Sequence, residues 1–150
     1  MRIEDEIKLT FDDVLIRPKR STLISRSEVH LERSFKFKHT ESVWNGVPIV
    51  SANMDTTGTF ETAISLQKHK MITAIHKFYT IDDWKKNISE LDPNYIAVTV
   101  GQSDDDLELA KNIFKLNNEI KFLCIDVANG YREDFINAVK KYRDTFNEKI

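Results

Sequence analysis

The stretch KFLCIDVANGY, residues 121–131, decides the fold. Its apolar run predicts a buried strand, and its polar end carries an Asn-Gly pair that is typical of a turn before the next helical pattern. Side chains alternate along a strand, so Leu123, Ile125 and Val127 share one face, while Phe122, Cys124 and Asp126 share the other. Parallel α/β folds collect their functional groups at the carboxyl ends of their strands, so this strand presents a carboxylate, Asp126, where such chemistry is found.

Three further strand-like runs precede this stretch and give the chain a regular rhythm. The four runs start roughly 24 to 27 residues apart, and a helical pattern follows each of them. Acidic residues open the second and third helical patterns, where they suit the positive end of the helix dipole. Such a series of βα units predicts parallel strands joined by right-handed crossovers. The predicted strands are residues 47–54, 71–77, 95–101 and 122–130, and the predicted helices are residues 59–69, 81–91, 104–116 and 131–146.

Four βα units fit either a small doubly wound sheet or the first half of an eight-stranded barrel. Helices cover both faces of a doubly wound sheet, so its central strands are apolar throughout. The run at residues 95–101 instead has a large apolar face, made by Ile96, Val98 and Val100, and a small, partly polar face. A barrel accounts for this difference, because its outer face packs on helices and its inner face is mixed. The pattern favours an α/β (β/α)8 TIM barrel, with its first four βα units in residues 47–150.

Residues 1–46 depart from this rhythm and predict an N-terminal arm with short strands. The segment LTFDDVLIRPKR, residues 9–20, has many apolar side chains but also Pro18, which breaks regular structure. Residues 29–38, VHLERSFKFK, alternate apolar and polar side chains as a half-buried strand does. We expect residues 41–46 to form a turn that leads into the first barrel strand.

Composition excludes several classes of protein. With 150 residues, 41% apolar and 31% charged, the chain has the size and core of one ordinary globular domain. The 22 basic and 24 acidic side chains nearly cancel, so the charge does not indicate binding to nucleic acid or to a membrane surface. A single cysteine cannot form an internal disulfide, and neither a membrane-length apolar run nor a signal-peptide pattern is present. We therefore expect a cytoplasmic protein.

Three polar residues near predicted strand ends are candidates for chemistry. Asp126 can cap the following turn or accept a hydrogen bond from a ligand amide, because a buried carboxylate needs such partners. Lys77 can meet a phosphate or a carboxamide, although a solvated surface lysine is the commoner outcome. His76 can act as an acid or base, but a single histidine beside a strand end is more often packed or hydrogen-bonded.

Two sulfur-containing residues invite similar alternatives. Met54, followed by Asp55, can pack its thioether on a flat ring, although ordinary core filling is the commoner outcome. Cys124 lies in mid-strand without a neighbouring charge to lower its pKa, so we interpret it as a small buried hydrophobic residue and not as a nucleophile. The sequence has no glycine-rich phosphate loop, paired-cysteine zinc motif or HExxH motif.

Four segments together resemble the N-terminal half of the IMP dehydrogenase/GMP reductase family. The similarity runs across nearly the whole chain, which makes it more specific than a single motif. About 17 residues separate Lys77 from Tyr95, leaving no room for the regulatory domains that IMP dehydrogenases usually insert there. The segments ANMDT, HKFY and DVANGY also look like the reductase branch. The four segments are LTFDDVLIRPKRSTLISRSEVHLERSF (9–35), VPIVSANMDTTGTF (47–60), ITAIHKFYTIDDW (72–84) and FLCIDVANGY (122–131).

This resemblance implies a TIM barrel in a homotetramer that converts GMP to IMP and ammonia by NADPH-dependent reductive deamination. The partners implied are small-molecule nucleotides, with potassium as a further ion of the full-length parent. In such a reaction the nicotinamide of the cofactor and the purine of the substrate must stack, so that hydride travels a short, aligned path. Strand ends are rigid supports for the two rings.

The resemblance also assigns residues to this chemistry. The Asp126 carboxylate accepts from the nicotinamide carboxamide, and Lys77 meets the cofactor from the adjacent strand. Ser25 and Arg26 match arm positions that reach the dinucleotide of a neighbouring subunit, and Met54 matches the residue that packs on the purine. The implied cofactor-binding residues are Ser25, Arg26, Lys77, Asp126, Val127 and Ala128, and the implied substrate-binding residues are Met54 and Asp55.

The chain departs from the family pattern in respects that matter for catalysis: it lacks the family's nucleophile, its general acid, its phosphate-binding loops and its potassium-binding loop. The family nucleophile is a cysteine on a loop after the sixth barrel strand, and Cys124 does not match it. We therefore assign no catalytic residue within the 150 residues and expect the chain alone to be inactive. Half a barrel also has unpaired edge strands, so we expect a longer parent chain or pairing with another copy or the missing half. The alternatives are an IMP dehydrogenase without its regulatory insertion and a non-catalytic half-barrel that serves binding or assembly.

Overall fold

The computed structural model describes residue 3 and residues 5–150 of the chain. It divides into two compact units, the first ending at His30 and the second running from Leu31 to Ile150. The first unit contains two short 3₁₀ helices, Phe11–Asp13 and Arg26–Glu28. Ser25 caps the second of these by accepting a hydrogen bond from the Ser27 N–H. Regular strands and α-helices, among the residues described, belong to the second unit.

The second unit begins with an antiparallel hairpin of β1 (Arg33–Lys36) and β2 (Val43–Gly46). The expectation of a turn at residues 41–46 is therefore wrong. Val and Trp favour extended backbone, and Trp44 is drawn into the core, where its Nε1–H donates to the Asn94 carbonyl at 2.8 Å. The connection between the two strands falls earlier, over residues 37–42.

A parallel sheet of four strands follows, in the order β3-β4-β5-β6. One helix follows each strand, which confirms the predicted series of βα units. The strands are shorter than predicted: β3 loses three residues at each end, and β6 loses the five residues of its predicted carboxyl end. The bounds are β3 Val50–Ser51, β4 Ile72–Ile75, β5 Ile96–Val100 and β6 Phe122–Ile125, with α1 Phe60–Leu66, α2 Ile81–Asn87, α3 Asp104–Leu116 and α4 Glu133–Thr145; 3₁₀ helices Gln67–His69 and Ile88–Glu90 extend α1 and α2.

The two faces of the sheet bury different side chains. The outer face packs on the helices, and Ile75, Val98 and Val100 are fully buried there beside Trp84 of α2. The inner face carries the smaller Ala74 and Ala97 together with aromatic residues of the hairpin. This division is the one expected of a barrel wall, and it confirms the choice of a TIM barrel over a doubly wound sheet.

The hairpin packs on the inner face near the amino ends of the strands. The Trp44 ring lies edge-on to Phe122 at 6.1 Å and to Tyr95 at 6.2 Å between ring centroids. The Tyr95 hydroxyl donates to the Asn45 carbonyl at 3.3 Å, which ties β2 to the start of β5. The inner face is therefore covered at one end, and the carboxyl ends of the strands remain open for a site.

β6 is an edge strand of the sheet, as expected, but the start of its free edge is hydrogen-bonded to Ile150. The Ile150 N–H donates to the Lys121 carbonyl at 2.7 Å, and the Leu123 N–H donates to the Ile150 carbonyl at 2.9 Å. Ile150 therefore lies beside β6 in the hydrogen-bonding pattern of a neighbouring parallel strand. In the part of the chain described, no helix is long and apolar enough to cross a bilayer.

Side-chain caps fix where three of the helices begin. Thr59, Thr80 and Ser103 each accept a hydrogen bond from a backbone N–H in the first turn of α1, α2 and α3 respectively. In α3 the cap is reciprocal, because the Asp106 carboxylate accepts from the Ser103 N–H at 3.0 Å. Burial opposes the charged form of Asp106, but hydrogen bonds from Ser103 and the Gly101 backbone, with the charge of Lys77, outweigh it and lower the Asp106 pKa.

This cap predicts an acid-dependent stability. A carboxyl whose pKa is lowered by folding stabilises the fold above its ordinary pKa of about 4, and this contribution is lost as pH falls through the lower value in the folded state. Asp106→Asn should therefore lower the free energy of unfolding at neutral pH, and the difference from wild type should shrink as the solution is acidified. Urea titrations across this pH range check the result. Asp105→Asn removes the same charge from an exposed position of the same turn, and an equally large pH-dependent difference there would contradict the assignment.

Candidate functional site at the carboxyl ends of the strands

An ion pair joins two of the predicted site residues. Lys77 follows β4 and Asp126 follows β6, and the Lys77 Nζ lies 3.1 Å from Asp126 Oδ2 and 3.4 Å from the Asp126 carbonyl oxygen. The two side chains are 32% and 39% exposed, so the pair is partly shielded from solvent. The resemblance implied that Lys77 and Asp126 lie on adjacent strands. In the structure their strands are not adjacent, because β5 lies between β4 and β6. The Lys77 side chain therefore bridges the end of β5.

The main chain holds Asp126 rigidly at this end of the sheet. Its N–H donates to the Val100 carbonyl at 2.8 Å, which continues the β5–β6 ladder one residue past β6. The carboxylate is therefore carried by a strand end and not by a free loop. Such support restricts the positions that the two Asp126 oxygen atoms can take relative to a bound molecule.

A cavity of about 270 Å³ opens beside this ion pair. It contains four of the predicted cofactor-binding residues, and its lining combines a cation, a carboxylate, amide side chains and small apolar groups. Sequence reasoning missed the other four lining residues, although the sequence offered one signal: polar residues and a glycine directly follow two strands. The lining residues are Lys77, Gly101, Gln102, Asp126, Val127, Ala128, Asn129 and Arg132.

Gly101 at the end of β5 is fixed from two sides. The buried Tyr142 hydroxyl of α4 donates to the Gly101 carbonyl at 3.2 Å, and burial raises the pKa of this hydroxyl, which keeps it a donor. A Cβ atom at residue 101 would lie 2.6 Å from Asp106 Oδ2. Glycine therefore permits the close approach of α3 to the floor of the cavity.

The second cation of the cavity is already paired. Arg132 donates to both carboxylate oxygens of Asp134, through Nε at 3.0 Å and Nη2 at 2.6 Å. Gln102 Nε2 donates to the same carboxylate at 3.2 Å. The fork-like contact restrains Arg132, and the Gln102 contact ties the loop after β5 to the first turn of α4.

The predicted substrate residues lie in a neighbouring turn. Met54 and Asp55 follow β3 and are exposed, and the Met54 carbonyl accepts from the Thr57 N–H at 3.0 Å and the Gly58 N–H at 2.7 Å. Neither residue lines the cavity beside Lys77. Ser25 and Arg26 belong to the N-terminal unit, where Arg26 begins a 3₁₀ helix.

Cys124 is the single cysteine of the chain and lies within β6 among the inner-face side chains. Burial raises the pKa of its thiol, so the reactive thiolate is disfavoured at neutral pH. Over residue 3 and residues 5–150, no group of three or more His, Cys, Asp or Glu side chains is arranged to hold a metal ion.

Comparisons with known proteins agree with this architecture. A family model described as IMP dehydrogenase / GMP reductase domain matches residues 8–150. GMP reductase of Buchnera aphidicola subsp. Acyrthosiphon pisum (strain Tuc7) is 51% identical over 153 residues, which cover 100% of this chain and 44% of the relative. GMP reductase of Escherichia coli O81 (strain ED1a) is 50% identical over 152 residues, which cover 99% of this chain and 44% of the relative.

A solved structure shows the same fold. The crystal structure of inosine 5' monophosphate dehydrogenase from Legionella pneumophila superimposes with a TM-score of 0.70 at 27% identity, covering 90% of this chain and 40% of that one. The chain therefore spans less than half the length of the curated relatives it matches, at 44%.

Proposed function

The chain belongs to the IMP dehydrogenase / GMP reductase family, and on that premise we propose that its full-length form reduces GMP to IMP and ammonia with NADPH. The identity of about 50% to proteins named GMP reductase, sustained over the whole chain, supports this reaction over the dehydrogenase reaction. The observation that supports the site most directly is the Lys77–Asp126 ion pair, because it puts a donor and an acceptor together beside a cavity at the strand ends.

The lining of the cavity suits the nicotinamide end of the cofactor. Asp126 supplies a carboxylate that accepts from the carboxamide N–H, while Lys77 orients that carboxylate and donates to the cofactor. Val127 and Ala128 supply small apolar surface against which a flat ring packs. When bound, NADPH supplies the hydride. The residues of this chain hold the ring and exclude water from one side of it.

The remaining assignments complete the proposal. Met54 packs on the purine of the nucleotide and Asp55 borders it, next to the turn that Gly58 closes. Ser25 and Arg26 bind the dinucleotide of a neighbouring copy in a homotetramer. Potassium acts in the full-length protein, and the cytoplasm is the proposed location. No residue of this chain is assigned to potassium.

The choice between the two reactions of the family has a direct test. The full-length protein is supplied with GMP and NADPH in one assay and with IMP and NAD in another, and the absorbance of the reduced cofactor is followed. Consumption of NADPH with GMP supports the proposal. Formation of NADH from IMP would make the protein an IMP dehydrogenase, and binding of nucleotides without turnover would favour a binding or assembly role.

The 150-residue chain by itself is expected to show no turnover of GMP. Its single cysteine, Cys124, lies within a strand and has a raised thiol pKa, so the chain supplies no activated nucleophile. The NADPH absorbance assay checks this, with the full-length protein as a positive control. Measurable GMP-dependent oxidation of NADPH by the short chain would refute the expectation.

A further inference from the structure

We propose that His76 is a positioning residue that holds Lys77 against Asp126. The His76 Nδ1 accepts a hydrogen bond from the Phe78 N–H at 3.2 Å. This bond spans Lys77 and closes a turn in the way that an Asx side chain does when it accepts from the N–H two residues later. Lys77 is the residue enclosed by that turn, so its backbone direction depends on the acceptor nitrogen of His76.

The imidazole itself is held firmly. His76 is 7% exposed, and its ring stacks on Tyr79 with 4.0 Å between centroids and 19° between planes. Tyr79 in turn stacks on Phe60 of α1 at 4.1 Å. The His76 N–H donates to the Gly58 carbonyl at 2.8 Å, which fixes the main chain before the turn. Both the ring and the backbone of His76 are therefore anchored to the rest of the barrel wall.

The far side of the turn has much less support. The Phe78 side chain is 69% exposed, and its ring lies tilted beside the His76 ring with 5.7 Å between centroids, a loose contact that contributes little to the conformation of residues 77 and 78. The hydrogen bond to His76 is therefore the contact that fixes the Phe78 N–H. Without it, Lys77 would sample other backbone directions, and its Nζ would leave Asp126 for part of the time.

Plain core packing is the competing explanation, and two substitutions separate it from positioning. His76→Phe keeps an aromatic ring to stack on Tyr79 but removes the acceptor. His76→Asn removes the ring but places an acceptor oxygen near the position of Nδ1. A packing role predicts that His76→Phe is the milder change at the turn, whereas a positioning role predicts that His76→Asn is milder.

Nuclear magnetic resonance on the full chain reads the turn directly. In the wild type we expect Nδ1 of His76 to be the unprotonated ring nitrogen, with a scalar coupling across the hydrogen bond to the Phe78 amide. Amide exchange at Phe78 should be about tenfold faster in His76→Phe, as expected for one lost hydrogen bond, and close to wild type in His76→Asn. The carboxyl carbon shift of Asp126 should move in His76→Phe towards its value in Lys77→Met, the reference for a broken pair.

Several results would overturn the proposal. One is a proton on Nδ1 in the wild type, a measurement that needs no variant and so stands even if His76→Phe fails to fold. Two others are a wild-type rate of amide exchange at Phe78 and a wild-type carboxyl carbon shift of Asp126 in a folded His76→Phe chain. The value of Lys77 placement for catalysis rests on the proposed function, but these readouts need no cofactor. A titration of the full-length protein with NADPH tests that function separately, since a failure to bind would leave the turn measurements unaffected.

Discussion

Trp84→Ala is expected to lower the free energy of unfolding by about 3–5 kcal/mol, the range measured for large aromatic side chains removed from cores. Trp84 is 1% exposed and lies edge-on to Phe60, with 5.2 Å between ring centroids. It fills the outer core between α2 and the sheet. Because this core is close-packed, its neighbours cannot fill the cavity left by the indole without backbone movement. Because a domain is stable by only about 5–15 kcal/mol, this loss would be a large share of the total.

Urea denaturation followed by circular dichroism measures this change. Tyr131→Ala is the matched control, because Tyr131 is an aromatic residue that is 98% exposed, and its removal should change stability by less than about 0.5 kcal/mol. If Trp84→Ala lowered the free energy of unfolding by less than twice the change in Tyr131→Ala, the packing of Trp84 would not be a main source of stability in the outer core.

Asp126→Ala is expected to weaken the binding of NADPH by the full-length protein roughly 10- to 100-fold, the equivalent of one hydrogen bond to a charged group. The substitution removes the proposed acceptor for the carboxamide and leaves Lys77 without its partner at 3.1 Å. Fluorescence titration with NADPH gives the dissociation constant. Lys77→Met should weaken binding in the same direction, because it removes the donor that orients the carboxylate.

The control for this experiment is Asp144→Ala, which removes an exposed carboxylate from α4, outside the cavity lining. It should bind NADPH as the wild type does. Wild-type affinity in Asp126→Ala would show that the carboxylate does not contact the cofactor, even if the protein proved to be a GMP reductase by assay.

Local patterns predicted the order and type of the barrel elements because each βα unit carries its own signals. Helix α3 begins at Asp104 and ends at Leu116, as predicted, since Ser103 and Asp106 form a reciprocal cap at its start. Helix α4 begins at Glu133, two residues later than predicted. The Tyr131 N–H donates to Asn129 Oδ1 at 2.9 Å, so the turn after β6 is prolonged by a side-chain contact that periodicity does not reveal.

Long-range contacts account for what the sequence could not supply. The strand β2 depends on Trp44, whose partners Asn94 and Phe122 lie far along the chain. The rule that functional groups collect at strand ends predicted a common location for Lys77 and Asp126, but not that Lys77 would span β5 to reach its partner.

The two tryptophans of the chain lie on opposite faces of the sheet, Trp44 among the inner-face residues and Trp84 among the outer-face residues. Each indole is therefore an optical probe of a different half of the interior. In a variant that keeps only Trp44, the tryptophan fluorescence would report the docking of the hairpin on the sheet. In a variant that keeps only Trp84, it would report the docking of the helices. Stopped-flow fluorescence of the two would reveal whether the two layers assemble together or in succession.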